Sequence, residues 1–298
     1  MADSKFRVGA VFPQNEIECD AFVIRDFAQA VEELGFSHMV AADHVLGAGT
    51  KTRPDWNGPY NYQDPFHEPL TLFGYLAGLT KRLGLMTGVV ILPQRQTALF
   101  GKQAANVDVF CGGRLRIGLG VGWNEVEYEA LGVPFRNRGA RLDDQIRFLR
   151  KLWTTETFSD ETPFHKITDA GINPLPLQRP IPIWIGGQSE PAIRRAAALG
   201  DGWLPSGPVE DAAKFADNFF AEIERQGRDR TKIGFENMII MGAVFGRKQR
   251  GPQEAAAEAE IWKKAGATGV SFHTKWMGAK RADQHLKVVR DLAAALGL

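Results

Sequence analysis

The hydrophobic and polar positions of this chain follow two alternating patterns, short apolar runs and longer amphipathic stretches. The first run, "FRVGAVF" (Phe6–Phe12), is followed by apolar residues at helical spacing from Val23 to Leu34. Short apolar runs favour buried strands, and apolar positions three and four residues apart indicate helices. The alternation continues to the end of the chain and predicts eight strand–helix units. The predicted strands after the first are HMVAAD, LGLMTGVVIL, RLRIGLGVG, IPIWIGG, DGWLPSG, ENMIIMGAVFG and GVSFH.

Eight strand–helix units in a chain of 298 residues favour an α/β fold, the (β/α)8 TIM barrel, over two doubly wound halves. No change of composition marks a boundary, so we expect residues 1–298 to form a single barrel domain. Two segments depart from the alternation. Residues 47–69 form a long polar and aromatic loop after the second strand, and the proline-rich residues 155–180 read as an insertion before the fifth.

Composition narrows the classes of function. Apolar residues make up 44% of the chain and charged residues 24%, which are ordinary values for a globular protein. The formal net charge of +1 gives no reason to expect a nucleic-acid or membrane surface. Only two cysteines occur, Cys19 and Cys111, and no apolar run is long enough to cross a bilayer. We therefore expect a cytoplasmic protein that acts on a small molecule.

In a TIM barrel the active site lies at the C-terminal ends of the strands. Asp43 and His44 stand at the end of the second strand. A histidine at this position can exchange a proton with a substrate near neutral pH, and an adjacent carboxylate can orient it. We expect His44 to be the proton partner and Asp43 its orienter. The alternative is a histidine that only caps a loop.

Glycines mark the ends of the third and fourth strands. Gly88 allows a close backbone approach to a planar ligand, or is a weak point in a core strand. In "GLGVGWNE", Gly118, Gly120 and Gly122 resemble a dinucleotide-binding loop, but Trp123 replaces the third glycine of that motif. The small residues therefore leave room either for a cofactor or for tight packing where the barrel narrows.

The segment "GGQSEPAIRRAA" begins at the end of the fifth strand and opens a helix. Free N–H groups of Gly187, Gln188 and Ser189 would face an anion there, aided by the helix dipole. The alternative is a capped helix with a flexible entry.

The loop of residues 47–69 carries four aromatic side chains that argue against disorder. It is interpreted as a lid over an apolar or planar substrate, or else as a self-packed Ω-loop or an oligomer contact. The candidate lid residues are Trp56, Tyr60, Tyr62 and Phe66.

Among the other histidines, His38 is expected to be structural and His273 to face the barrel mouth, whereas His165 and His285 suggest no partner. No histidine, cysteine and carboxylate cluster has the spacing of metal ligands, and no G-x-S-x-G motif occurs. We therefore predict no metal site, and difficult chemistry would need an organic cofactor.

Three stretches together, "GFSHMVAADHVL", "GLGVGWNEVEYEALGVPFRNRGARLDDQIRFLRKLW" and "PIPIWIGGQSEPAIRRAAALGDGWLP", resemble the bacterial luciferase-like superfamily. Within it they look most like the branch of coenzyme F420-dependent oxidoreductases. The resemblance covers nearly the whole chain and is more specific for the superfamily than for the cofactor. It implies a (β/α)8 barrel with an insertion near the fifth strand and a flavin or deazaflavin ring across its mouth.

The resemblance also implies roles for particular residues. The family's strand-three bulge, with a non-prolyl cis peptide behind the ring, matches Gly88–Val89. Asp43 and His44 match a pair near the reacting ring carbon, and the implied reaction is hydride transfer with a small organic substrate. The cofactor-binding residues that it implies or that the strand ends suggest are Thr87, Gly88, Val89, Gly120, Gly122, Trp123, Asn124, Gly186, Gly187 and Gln188.

Alternatives remain open for the cofactor and for the class of function. FMN shares a phosphate and a tricyclic ring with F420, so an FMN-dependent monooxygenase or reductase is the second reading. Lys51, Arg53 or Arg95 could meet the acidic tail that F420 has in addition. A third reading is a non-catalytic cofactor-binding barrel. Relatives are often dimers, and a homodimer is the expectation here.

Overall fold

The computed structural model describes residues 6–244 and 246–298. Both the first five residues and Phe245, which belongs to the predicted seventh strand, lie outside the described part. The strands are β1 (Arg7–Val11), β2 (His38–Ala41), β3 (Gly84–Thr87), β4 (Val90–Ile91), β5 (Leu115–Gly120), β6 (Phe158–Glu161), β7 (Lys166–Ala170), β8 (Ile183–Gly186), β9 (Gly202–Leu204), β10 (Gly234–Ile240) and β11 (Gly269–His273). The α-helices are α1 (Ala21–Glu33), α2 (Pro69–Ala77), α3 (Thr97–Phe110), α4 (Glu125–Ala130), α5 (Arg138–Thr154), α6 (Glu190–Leu199), α7 (Ala212–Arg225), α8 (Pro252–Lys264) and α9 (Ala282–Leu296).

Parallel pairing closes the sheet into a barrel. Its strands follow one another in the order β3, β2, β1, β11, β10, β9, β8, β5, and β5 pairs again with β3 and with β4. Leu85 opposite Leu115 forms part of the closing register between β3 and β5. Because β4 continues the path of β3, these two short strands occupy one position in the barrel. The barrel therefore has eight strand positions, and the predicted (β/α)8 fold is confirmed.

Local sequence explains the first helix of the barrel wall. Asp20 precedes α1, and its side chain accepts hydrogen bonds from the N–H groups of Phe22 at 2.8 Å and Val23 at 3.1 Å. This N-cap satisfies donors that have no partner within the helix. The residues that α1 buries against the barrel are Ile24, Phe27, Ala28 and Val31, at the three- and four-residue spacing of one helix face.

Two long connections depart from the simple barrel. Residues 155–180, predicted as an insertion, contain an antiparallel hairpin of β6 and β7, which the sequence pattern did not reveal. Both strands are largely exposed, so they lack the buried apolar run by which the barrel strands are recognised. Residues 42–68 contain neither helix nor strand and connect β2 with α2.

Large rings fill the barrel interior near the N-terminal ends of the strands. A Cβ atom on Gly9 would lie 2.2 Å from the His38 ring, and one on Gly202 would lie 2.3 Å from the Trp184 ring. Gly234 is equally close to Trp184, at 2.2 Å. Glycine at these three positions makes space for the rings of His38 and Trp184. These two rings form the barrel floor.

Charged groups surround these two rings. Buried Glu236 lies 2.6 Å from His38 Nε2 and accepts hydrogen bonds from Ser271 at 2.7 Å and from Arg116 at 3.1 Å. Burial alone would raise the pKa of Glu236, but His38 and Arg116 hold it well below its usual range. Burial also lowers the pKa of His38. His38 is thus a buried residue within β2, as predicted.

The described residues contain neither a membrane-spanning helix nor a metal-binding cluster. No α-helix among them is long and apolar enough to cross a membrane. Within residues 6–244 and 246–298, no group of three or more His, Cys, Asp or Glu side chains is arranged to hold a metal ion.

Candidate active site

The glycines of β5 pack against the residues at the end of β3 and in β4. A Cβ on Gly118 would lie 2.1 Å from the Thr87 carbonyl oxygen, and one on Gly120 would lie 2.6 Å from Val89. Gly122, just after β5, would clash with Ile91 at 2.7 Å. The expectation that these glycines leave room for a ring edge is therefore corrected, because protein atoms occupy that space. Any role of Gly120 and Gly122 in cofactor binding would have to come from their backbone.

The peptide bond between Gly88 and Val89 is cis, as the resemblance to the family implied. It lies between the two short strands β3 and β4. The Thr87 hydroxyl donates to the Gly118 carbonyl at 2.8 Å and accepts from the Gly118 N–H at 2.8 Å. Thr87 therefore holds the bulge against β5, and its hydroxyl is fully engaged there.

A cavity of about 210 Å³ opens beside this bulge. Its wall combines backbone and apolar surface from the strand ends with a few polar groups from β10 and β11. This is below the usual volume of a whole ligand pocket, and it suits the planar part of a larger molecule. The lining residues include Gly88, Val89, Gly186, Gly187, Ser206 and Asn237.

The start of α6 borders the same cavity. Gly187 has a φ of +109°, a conformation that side-chain-bearing residues rarely adopt. Its N–H points to the Leu204 carbonyl at 3.4 Å, so it is not the free donor that was predicted. Ser189 is the N-cap residue but makes no capping bond with its side chain. In the described structure the N–H groups of Gln188 and Ser189 have no protein partner, and both residues are exposed.

On the other side of the mouth, His44 pairs with Glu127 of α4. The His44 Nδ1 atom lies 3.3 Å from both carboxylate oxygens of Glu127. The same carboxylate accepts the N–H of Val45 at 2.7 Å and that of Leu46 at 3.3 Å. Glu127 is buried, so it fixes the His44 ring and the start of the loop together. His44 Nε2 has no hydrogen-bond partner among the described residues.

Asp43 does not orient His44, and that prediction is corrected. Its carboxylate accepts from the Arg95 guanidinium at 2.6 Å and from the Ile91 N–H at 3.1 Å. Arg95 also donates to Glu68 at 3.0 Å. Successive residues of an extended segment point in opposite directions, which explains why Asp43 and His44 have different partners. Arg95 is committed to these carboxylates and is not available to an acidic cofactor tail.

The loop of residues 47–69 folds over His44 with its aromatic side chains. The His44 ring lies 4.7 Å from Phe66, 5.2 Å from Tyr60 and 5.7 Å from Trp123, measured between ring centroids. Trp56 packs against Trp123 in a tilted arrangement with ring centroids 5.7 Å apart, and its indole N–H donates to the Tyr60 carbonyl. Of the predicted lid aromatics, Tyr62 is the one that stays exposed, at 54%.

A second cavity, of about 360 Å³, lies between this loop and the segment that follows β5. Aromatic rings, two amides and one carboxylate line it, so it offers apolar surface together with hydrogen-bonding groups. The lining residues are His44, Val45, Leu46, Gly47, Tyr60, Asn61, Tyr62, Asp64, Phe66, Trp123 and Asn124.

The other histidine predicted at the mouth, His273, is uncharged and held by its neighbours. His273 ends β11 and stacks on Trp276, with ring centroids 5.2 Å apart. Its Nδ1 accepts the N–H of Lys275 at 3.1 Å. Burial lowers the pKa of His273 to about 3, so the ring is neutral at ordinary pH. This leaves His44 as the histidine of the mouth with a free ring nitrogen beside a cavity.

A parallel barrel with cavities and a histidine at the C-terminal ends of its strands defines a class, the TIM-barrel enzymes. The family model for luciferase-like monooxygenases matches residues 18–296. The chain belongs to this family, and it is an oxidoreductase of the flavin- or F420-dependent type.

The relatives show how wide the family is. An uncharacterized protein of Mycobacterium tuberculosis is 35% identical over 220 residues, covering 72% of this chain and 74% of that protein. The FMNH2-dependent dimethylsulfone monooxygenase of Pseudomonas putida is 31% identical over 222 residues, covering 72% of this chain and 57% of that enzyme. A solved F420-dependent secondary alcohol dehydrogenase has a TM-score of 0.78 at 13% identity, covering 98% of this chain and 99% of that chain. The last similarity concerns the fold alone.

Proposed function

We propose that the protein transfers a hydride between F420 and a small organic substrate, with His44 as the group that exchanges a proton with the substrate. The observation that supports this role is the His44–Glu127 pair on the wall of the larger cavity. Because the carboxylate accepts a hydrogen bond from the Nδ1–H group, the Nε2 atom is the one left to give or take a proton. Glu127, rather than Asp43, is the positioning residue.

The smaller cavity suits the tricyclic ring of the cofactor. Val89 and Gly186 form part of its apolar wall, and Gly187, which also lines it, directly precedes the free N–H groups of Gln188 and Ser189, which suit a phosphate. When bound, the ring would supply or accept the hydride. Arg247 is a further cation on this side, because its guanidinium donates to the carbonyl of Ser206 at 3.3 Å. Lys51 and Arg53 are exposed on the loop and are less directly placed for an acidic tail.

The loop over His44 would keep water out of the reaction. Hydride transfer benefits from a site that excludes water. The contacts of Trp56 with Trp123 and of Phe66 with His44 would hold the loop over the larger cavity. The ion pair of Asp43 with Arg95 then holds the end of β2 in place beneath the loop.

An FMN-dependent monooxygenase or reductase is the second candidate function. The 31% identity with an FMNH2-dependent enzyme favours it, and the features assigned to the ring and phosphate suit both cofactors. The third reading, a non-catalytic barrel, does not account for a histidine with one nitrogen held and the other free beside a cavity. The homodimer remains a prediction.

A cofactor titration tests the proposal. The protein is titrated with F420 and with FMN in the same buffer and salt, and binding is followed by the fluorescence of each cofactor. We expect saturable F420 binding that Arg247→Met weakens, with Arg230→Met, whose side chain lies over Phe220, as a control. Submicromolar FMN binding without F420 binding would support the monooxygenase instead. Binding of neither cofactor would contradict both.

A further inference from the structure

Lys275, a buried lysine, lies two residues beyond β11. The residue is 4% exposed, and among the described residues its ammonium group forms no ion pair. Its Nζ atom lies 4.2 Å from the centre of the Tyr60 ring and 4.9 Å from that of Trp276. Aromatic faces attract a cation but do not neutralise it. A buried ammonium ion without an anion is costly for the fold.

Two nearby carboxylates, those of Asp64 and Glu16, accept hydrogen bonds from backbone N–H groups. Asp64 accepts the N–H of Asn61 at 2.9 Å, and Glu16 accepts the N–H of Trp276 at 3.2 Å through both oxygens. Burial raises the pKa of Tyr60 to about 12, so its hydroxyl stays neutral and cannot act as a counter-ion.

The position of Lys275 connects it with the larger cavity. Tyr60, whose ring faces the ammonium group, also lines that cavity and packs against His44 and Phe66. Since β11 pairs with β1, and β1 with β2, Lys275 and His44 lie on the same side of the mouth. The proposed phosphate site after β8 lies on the other side. The cation is thus placed for a substrate rather than for the cofactor phosphate.

We propose that Lys275 binds the anionic group of a small carboxylic acid whose planar or apolar body lies among Tyr60, Phe66 and Trp123, beside His44. The description of this ligand as the substrate rests on the proposed function, but its binding needs no cofactor. The anion would form the direct ion pair that Lys275 lacks among the described residues, and the aromatic rings would cover the body of the ligand.

Titration of Lys275 gives this site a characteristic pH dependence. Burial lowers the pKa of Lys275 to about 8, with Asp64 and Glu16 opposing that shift and Lys280 adding to it. The neighbouring rings of Tyr60, His273 and Trp276 carry no charge at neutral pH. Lys275 is therefore mostly protonated at pH 7 and loses its charge as the pH rises through about 8. Anion binding should weaken over the same interval.

A comparison of benzoate with its neutral analogue benzamide tests the proposal on the cofactor-free protein, using calorimetry. At pH 7 we expect benzoate to bind about tenfold more tightly, the usual gain of a charged over a neutral hydrogen bond. The preference should disappear at pH 9.5. Lys275→Met should bind both compounds equally, whereas Lys275→Arg should keep the preference at both pH values because guanidinium stays protonated. Lys280→Met, at an exposed position, is the matched control.

Three results would overturn the assignment: no saturable binding of benzoate, equal affinity for both compounds, or an unchanged preference in Lys275→Met. If Lys275→Met does not fold, the pH dependence of the unmodified protein and of Lys275→Arg decides. Benzoate binding without binding of either cofactor would leave this inference in place and contradict the proposed function. Cofactor binding without benzoate binding would overturn this inference and leave the proposed function in place.

Discussion

The two sides of the barrel mouth are built on different physical principles. Around β3, β4 and β5, shape dominates, since the Cβ positions of Gly118 and Gly120 are filled by atoms of Thr87 and Val89. Around β2 and β11, charge dominates, with His44 held by Glu127 and Lys275 in no ion pair with the described residues. The first side is a fixed surface for a planar molecule, whereas the second holds the groups that titrate.

This difference predicts how each side fails when it is altered. A substitution on the glycine side should affect folding first, because there is no space for added atoms. A substitution among the titratable groups should affect chemistry first, because those side chains lie at the edge of a cavity.

The largest effect is expected for His44→Ala. If Nε2 exchanges the proton with the substrate, turnover should fall about 10²–10⁴-fold. The dissociation constant of the cofactor should stay within about twofold, because His44 does not line the smaller cavity. Steady-state kinetics and a cofactor titration measure the two quantities. Unchanged turnover would remove His44 from the proposed mechanism.

The second-largest effect is expected for Gly118→Ala, and it concerns the stability of the fold. The added Cβ would lie 2.1 Å from the Thr87 carbonyl oxygen, so β5 and β3 must move apart. We expect a loss of about 3 kcal/mol in the free energy of unfolding, measured by chemical denaturation. The control is Gly49→Ala, where no atom lies within 4 Å of the added Cβ. Equal stability of the two variants would contradict the packing explanation of the β5 glycines.

A smaller effect is expected for Glu127→Gln. The amide keeps an oxygen for the N–H of Val45 but turns a donor towards His44 Nδ1, which disturbs the ring that the carboxylate held. Turnover should fall about 10–10²-fold, the usual cost of losing a partner that orients a functional side chain. The exposed Glu129→Gln on the same helix is the control. If Asp43→Asn disturbed turnover while Glu127→Gln did not, the sequence-based assignment of the orienter would be right after all.

Much of the fold could be predicted from the apolar runs. The predicted strand Phe6–Phe12 is observed as Arg7–Val11, and HMVAAD is observed as His38–Ala41. The hairpin of β6 and β7 was missed, because its short and largely exposed strands carry no buried apolar run. The seventh strand was predicted too long, since the apolar residues after Ile240 continue into a loop.

The site was less predictable, because its pairs join distant parts of the chain. His44 was found from its position at a strand end, but its partner Glu127 lies 83 residues away. Glu127 stands in the same stretch as Trp123, yet nothing in the sequence distinguishes it from Glu125 or Glu129. The burial of Lys275 could not be predicted either, since it depends on Tyr60, which lies on a different loop.

The barrel floor has a consequence for the order of events during turnover. His38 and Trp184 fill the interior below the smaller cavity, so a ligand of that cavity must enter from the mouth and not through the barrel. A ring bound there would face the mouth, so a substrate that lies over the ring could bind only after it, and the ring could leave only after the product. The kinetics of such a protein would follow a compulsory sequence, with the cofactor as the first molecule in and the last one out.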